Sequence, residues 1–316
     1  MVFIKIAYLK CYENIDEVIE EKQLKAPQFI KKGILLIKKW LKIITIRQQE
    51  DKILMILPAE ENSKLKRYQK ALLLKLKILK VNKVVLPKNG KMDELKDSIQ
   101  KENIEILDGR FLFKYLIDSA VSYISKKQGK EVQTQEVAVL VNDATISNVN
   151  NIVILAKQVK MLTIVTNHFN QFKKVENYLY DELGAMVRIS NNKKKALMKA
   201  DIIVNFDFPE EVLNQYRIPN QGVLINLEKK INVITKSFEG INCNYYTIIP
   251  NEECFGDLFL EYSLDQIYDS AILYESTLIG KHDFEEIRQE IEKKKIGVNG
   301  LIGNNGLIRE IEFSKN

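Results

Sequence analysis

The sequence predicts an α/β chain of two lobes, an N-terminal parallel α/β lobe and a doubly wound lobe, with helices at the C-terminal end. Three observations carry that expectation. Short apolar runs alternate with helix-length amphipathic stretches twice along the chain, first over residues 52–127 and again over 136–227. Alternation of this kind builds parallel sheets with helices on their faces. Of 316 residues, 46% are hydrophobic and 28% charged, which is enough for two full cores. Glycines (13) and prolines (6) are few, as expected of long helices joined by short turns rather than disorder. The lobes are expected at 1–125 and 126–235, with 236–316 a helical, turn-rich extension packing across both.

Residues 1–9 are apolar with one lysine, too short for a signal-peptide core, and read as a first strand. Residues 34–46 (ILLIKKWLKIITI) interleave lysines with apolar residues and the single tryptophan. As a helix this is a basic amphipathic segment suited to an anionic membrane or a partner; as a strand it is an edge guarded by lysines. The expected arrangement is a buried, lysine-rimmed element on the first sheet, with Trp40 filling a gap between the lobes. Residues 52–57 (KILMIL), closed by Pro58, have the continuous apolar character of a buried parallel strand. A helix over 62–80 follows, its leucines at 72, 73, 76 and 79 spaced for one face. Strands at 83–87 and 104–107 flank a helix at 92–102 whose first turn holds Asp93 and Glu94, where the helix dipole favours acids. A helix over 111–127 and a linker over 128–135 (QGKEVQTQ) lead to the second lobe.

There, strands are expected at 137–141, 162–165, 186–189, 201–205 and 222–227, with helices at 147–159, 170–183 and 192–199. Gly184 stands where a helix C-cap should be. Beyond 231 the pattern weakens to a strand at 245–249, helices at 257–279 and 284–295, and a turn-rich tail with glycines at 297, 300, 303 and 306.

The run Ile164-Val165-Thr166-Asn167-His168, followed by a helix ending Tyr180-Asp181-Glu182-Leu183-Gly184, resembles the second strand and helix of one Rossmann group. That group contains the shikimate dehydrogenases and glutamyl-tRNA reductases, whose strand ends in Asn-Arg and whose helix ends in Leu-Gly. Ala200-Asp201-Ile202-Ile203-Val204-Asn205 is similar to the strand that follows in the same group. The resemblance covers about 100 of the 316 residues, and its motifs mark a fold more than a reaction. It implies a Rossmann-like second lobe, and in the family an NAD(P) cofactor held at a Gly-x-Gly-x-x-Gly turn. This chain departs at both phosphate-facing places. The turn Val141-Asn142-Asp143-Ala144-Thr145-Ile146-Ser147 has no glycine, so side chains oppose close approach of a pyrophosphate and Asp143 repels it. His168 stands at the family's arginine, and a neutral imidazole is a weaker phosphate ligand than a guanidinium fork. The family's catalytic Lys and Asp pair and its nucleophilic cysteine have no recognisable motif in the front half. No cofactor is therefore expected, with NAD(P) bound through an atypical loop as the alternative.

Ligands of open parallel sheets bind beyond the carboxyl ends of the strands. Those ends are Asp108 and Arg110 in the first lobe, then Asn142, Asp143, Asn167, His168, Asn191, Asn192, Asn205 and Asp207. Asparagine donates and accepts, so such a rim suits a polar, neutral or weakly charged ligand; the same residues also start turns and cap helices. His168 is placed for proton transfer or for capping the next helix, and His282 reads as a structural or exposed residue. Asp108 and Arg110 offer an acid and a fork-shaped cation to a carboxylate or phosphate, or an ion pair to each other. Three cysteines, Cys11, Cys243 and Cys254, form no paired spacing, so neither a disulfide framework nor a zinc site is expected, and a reducing cytoplasm is the expected location.

Residues 1–130 hold 28 Lys+Arg against 16 Asp+Glu and residues 131–316 hold 20 against 26, giving the net +6. The basic half leaves nucleic acid or an anionic membrane open as partners, beside solvated lysine faces. No apolar run is long enough to span a membrane. The resulting expectation is a non-catalytic ligand-binding or regulatory protein on a dehydrogenase scaffold, taking a small polar ligand or a protein segment in the cleft between lobes. A homo-oligomer stays open, and the alternative is an oxidoreductase with an altered loop.

Overall fold

The computed structural model describes residues 4–19, 25–59, 65–90, 92–216, 218–219, 222–233, 238, 240–249, 264–281 and 283–313. Cys254, His282 and residues 257–263 of the helix expected over 257–279 lie outside the described residues; the rest of that span forms two helices, Leu264–Ile267 and Ser270–Leu278. Two compact units emerge, Met1–Gly109 with Pro250–Lys281, and Arg110–Ile249 with His282–Asn316.

The first unit is a five-stranded sheet ordered β2-β3-β1-β4-β5, where β1 is Ile6–Cys11, β2 Thr45–Gln49, β3 Lys52–Leu57, β4 Lys83–Val85 and β5 Glu105–Ile106. All pairs are parallel except β2 with β3. Side chains alternate along β1. Ala7, Leu9 and Cys11 join Ile53, Met55 and Leu57 in one apolar cluster, closed by Leu72 and Leu76 of the helix Gln69–Ile78. Tyr8 points to the other face, edge-on to Tyr268 at 5.9 Å between ring centres, and donates to Ser276 Oγ at 2.7 Å. The Tyr268 hydroxyl donates to the Leu9 carbonyl at 2.8 Å. Burial holds both phenols well above their ordinary pKa, so they stay protonated donors.

Residues 34–46 do not form one buried element. A helix, Gln28–Leu41, ends at Lys42 in the left-handed region (φ 57°), and β2 follows. The faces are the reverse of those expected. Lys31 and Lys38 turn inward, to Asp16 Oδ1 at 2.8 Å and the Val18 carbonyl at 2.6 Å, while Trp40 is 80% exposed. The oxygen acceptors of the short 3-10 turn Ile15–Val18 draw in the lysine face, so Trp40 fills no gap.

The second unit holds a six-stranded, all-parallel sheet of β6 (Glu136–Leu140), β7 (Met161–Val165), β8 (Val187–Ser190), β9 (Ile202–Asn205), β10 (Val223–Asn226) and β11 (Ile241–Cys243). Its order is β11-β10-β9-β6-β7-β8. Numbered from β6, that is 3-2-1-4-5-6 read from the β8 edge, the doubly wound Rossmann order. Ala138, Leu140, Ile203 and Leu224 build one core with Ala196 and Leu197 of the helix Lys193–Leu197. Gly184, at φ +60°, sits just beyond the helix Phe169–Asp181 as expected. The helix Ile117–Lys127 is tied to the helix Phe284–Lys293 by Arg288, which pairs with both oxygens of Asp118 at 2.9 and 2.8 Å.

The glycine-rich tail corrects a second expectation. It is not a string of turns but a hairpin, β13 (Val298–Gly303) and β14 (Gly306–Leu307), pairing antiparallel with β12 (Tyr245–Ile248). A Cβ on Gly300 would stand 2.6 Å from Thr247 Oγ1, and Gly306 takes φ +106° at the turn. The glycines let strands approach and reverse, which composition alone reads as loop.

Candidate functional site at the carboxyl edge of the parallel sheet

The turn after β6 decides what this edge can bind. In dinucleotide-binding folds the N–H groups here and at the following helix start face a pyrophosphate. In this chain a carboxylate from the same unit takes those donors. Asp207, two residues beyond β9, accepts from Asn142 N at 2.8 Å to each of its oxygens and from Asp143 N at 2.8 Å. Thr145 caps the helix Ile146–Gln158 by accepting from Asn148 N at 3.2 Å, and the Asn148 amide donates to the Asp143 carbonyl at 2.8 Å. Burial pushes the Asp207 carboxyl above its ordinary pKa; the two N–H donors oppose that shift, while Asp143 and Glu228 add to it.

The same turn is fastened to the end of β7. Asn142 Oδ1 accepts from Asn167 N at 3.0 Å, and His168 Nδ1 lies 3.0 Å from the Asn142 carbonyl. A carbonyl only accepts, so Nδ1 is the donor in this contact. His168 occupies the N-cap position of the helix Phe169–Asp181 without a side-chain cap bond. Lys193 Nζ donates to Asn167 Oδ1 at 2.6 Å. Asn142, Asp143, Asn167, His168 and Asp207 are thus brought together, with each of Asn142, Asn167, His168 and Asp207 in a bond that shapes the turn. Asn192 caps the helix Lys193–Leu197 through Lys195 N at 3.0 Å.

Asn205 lies elsewhere, inside a buried amide network that the sequence reading missed. Its Oδ1 accepts from Phe208 N at 2.9 Å, and its Nδ2 donates to the Phe208 carbonyl at 3.0 Å and to Asn226 Oδ1 at 3.2 Å. Asn226 Nδ2 continues to Asn242 Oδ1 at 2.8 Å and Asn244 Oδ1 at 3.0 Å. Asn244 reaches Asn304 Oδ1 at 2.7 Å and, with Asn242, holds both backbone groups of Ile231. The signal was present, since the runs ending β9, β10 and β11 each place asparagine at or beside the last position.

Arg110 donates to the carbonyls of Asn226 and Leu227 at 2.9 and 3.3 Å and stacks 5.6 Å from the Tyr245 ring centre, closing the end of β10. Asp108 is exposed and belongs to the first unit. A groove of about 290 Å³ opens along the loops after β9 and β10, lined by Asp207, Glu210, Glu211, Glu228, Lys229 and Lys230 among others. Among the described residues, no group of three His, Cys, Asp or Glu side chains is arranged to hold a metal ion. No described helix is long and apolar enough to cross a membrane.

No family model and no curated protein matches the chain. Among solved structures it is similar to L-tryptophan dehydrogenase from Nostoc punctiforme, at 11% identity over 92% of this chain and 79% of that one, with a TM-score of 0.32. Shikimate dehydrogenase from Mycobacterium tuberculosis is 20% identical over 34% of this chain and 40% of its own, with a TM-score of 0.24. Delta(1)-pyrroline-2-carboxylate reductase from Thermococcus litoralis, solved with NADH and L-proline, is 11% identical with a TM-score of 0.26, and this chain spans 34% of its length. Likeness at this level amounts to a distant Rossmann-like resemblance and carries no argument of its own. The Rossmann order rests on the strand pairing itself.

Proposed function

We propose that this chain is a non-catalytic ligand-binding or regulatory protein on a dehydrogenase-derived scaffold, and that it does not bind a dinucleotide at the turn after β6. One observation carries the reading: the Asn142 and Asp143 N–H groups are already satisfied by Asp207. A pyrophosphate would have to displace that carboxylate and then lie against it, at a cost in charge repulsion on top of the lost bonds. The groove beside Asp207 favours a small polar ligand that is neutral or cationic, because four of its lining side chains are carboxylates against two lysines.

Titration calorimetry of the full chain with NAD and NADP tests this. The expected result is no binding in the micromolar range. Micromolar affinity for either dinucleotide overturns the reading and favours the oxidoreductase alternative.

A further inference from the structure

We propose that the outer face of the helix Gln28–Leu41 is a docking surface for a second copy of this chain. The face is apolar and exposed along its whole length: Phe29 74%, Leu36 65%, Ile37 56% and Trp40 80%, with Ile30, Leu41 and Ile43 each above 40%. Those fractions, applied to residues of this size, amount to an apolar patch on the order of 900 Å². That exceeds the few hundred Å² usual for a monomer's largest patch and matches one side of a standard protein interface.

Charge selects the occupant. A helix that lies on anionic lipid keeps lysines beside its apolar face to reach headgroups. Here Lys31 and Lys38 point the other way, bonded to Asp16 and the Val18 carbonyl, and Lys39 lies over the Tyr12 ring at 5.2 Å. That leaves Lys32 at one margin of the stripe and the C-cap Lys42 as the exposed lysines. An acidic partner would find few cations on the outer face. A second copy of the same apolar stripe can meet it with Lys32 left at the solvated rim, and such isologous pairing across a two-fold axis is the commonest oligomer geometry.

Gly33 supplies an independent observation. It lies mid-helix at the centre of the exposed stripe, and a Cβ built there meets nothing within 4 Å. Nothing within the described chain calls for glycine at a position where alanine is the better helix former. A helix crossing at that point does: in an antiparallel pair, Leu36 of one copy seats over Gly33 of the other, and Phe29 of each meets Trp40 of its mate. Ridges then enter grooves at close interaxial distance.

Sedimentation analysis of the full chain from about 0.1 to 100 µM is the test. The wild type is expected to sediment at twice its 36.7 kDa chain mass at the upper concentrations. Leu36→Glu is expected to be monomeric throughout with an unchanged melting curve, and Gly33→Leu to weaken association at least tenfold. Trp40, the only tryptophan, reports independently, its emission shifting to the red as the wild type is diluted and standing red-shifted in Leu36→Glu at every concentration. A wild type that stays monomeric overturns the proposal, as does a dimer indifferent to both substitutions. A monomer that instead co-sediments with phosphatidylglycerol vesicles overturns it in favour of a lipid surface.

Discussion

Replacing Asp207 by alanine removes the acceptor of two backbone N–H groups, on Asn142 and Asp143, at three contacts of 2.8 Å. A hydrogen bond to a charged acceptor contributes about 1.5–3 kcal/mol net. Two would set an upper bound near 6 kcal/mol, but Asp143 is exposed and water replaces part of its loss. Burial of the carboxylate costs some of the gain as well, as its raised pKa records. A local loss of about 1–3 kcal/mol remains, which corresponds to about fivefold to 150-fold faster amide exchange. Hydrogen exchange read at the Asn142 and Asn167 amides, both hung on this turn, is the direct assay. The pH dependence carries a definite sign. With the folded pKa above the ordinary 3.8, the pH-dependent part of the Asp207 contribution is fully present below that value and is lost as pH rises through the folded pKa. The gap between wild type and Asp207→Ala should therefore widen on acidification from neutrality toward pH 4. Unchanged exchange in the variant, or a gap that narrows with acid, would refute the assignment of Asp207 as the keeper of the turn.

Asn226→Leu should be among the costliest single changes in the second unit, about 2–4 kcal/mol by urea unfolding. It removes one partner from each of the Asn205, Asn242 and Asn244 amides at the buried centre of the network; a loss under about 1 kcal/mol would show the network to be dispensable. Cys243 should resist alkylation in the folded protein at pH 8 and react on unfolding, because burial pushes its thiol up to about 12 and its Sγ donates to the Tyr245 carbonyl. Mass spectrometry of the native protein after iodoacetamide checks it, and rapid labelling at Cys243 is the contrary outcome.

Most parallel strands of both units were legible in the sequence because buried parallel strands are continuously apolar, and 52–57, 83–85, 162–165 and 223–226 all read that way; Ile241–Cys243, three residues with Asn242 in the middle, was not. Nor was the edge strand Thr45–Gln49, since its polar outer half lacks the period of a buried strand and it follows a lysine-rich helix. The reading of 34–46 left helix and strand open and expected its apolar side to be buried, whereas the acceptors at Asp16 and Val18, outside that segment, draw the lysine face of the helix inward. At the candidate site the missing glycines were visible at once. What replaced the phosphate was not, because Asp207 lies more than sixty residues from the turn it fills. Asn205 was selected by the same strand-end rule as Asn142, and only tertiary pairing separates one that faces the turn from one spent inside the core.

The amide network along β9, β10 and β11 is made of groups that do not ionise between the extremes of pH and carry no net charge for salt to screen. The neighbouring turn on β6 and β7 depends on a carboxylate and an imidazole. One sheet edge therefore has two regimes side by side. Acid acts on the half that holds Asp207, while the asparagine half has no titrating group in its network and no net charge to be screened.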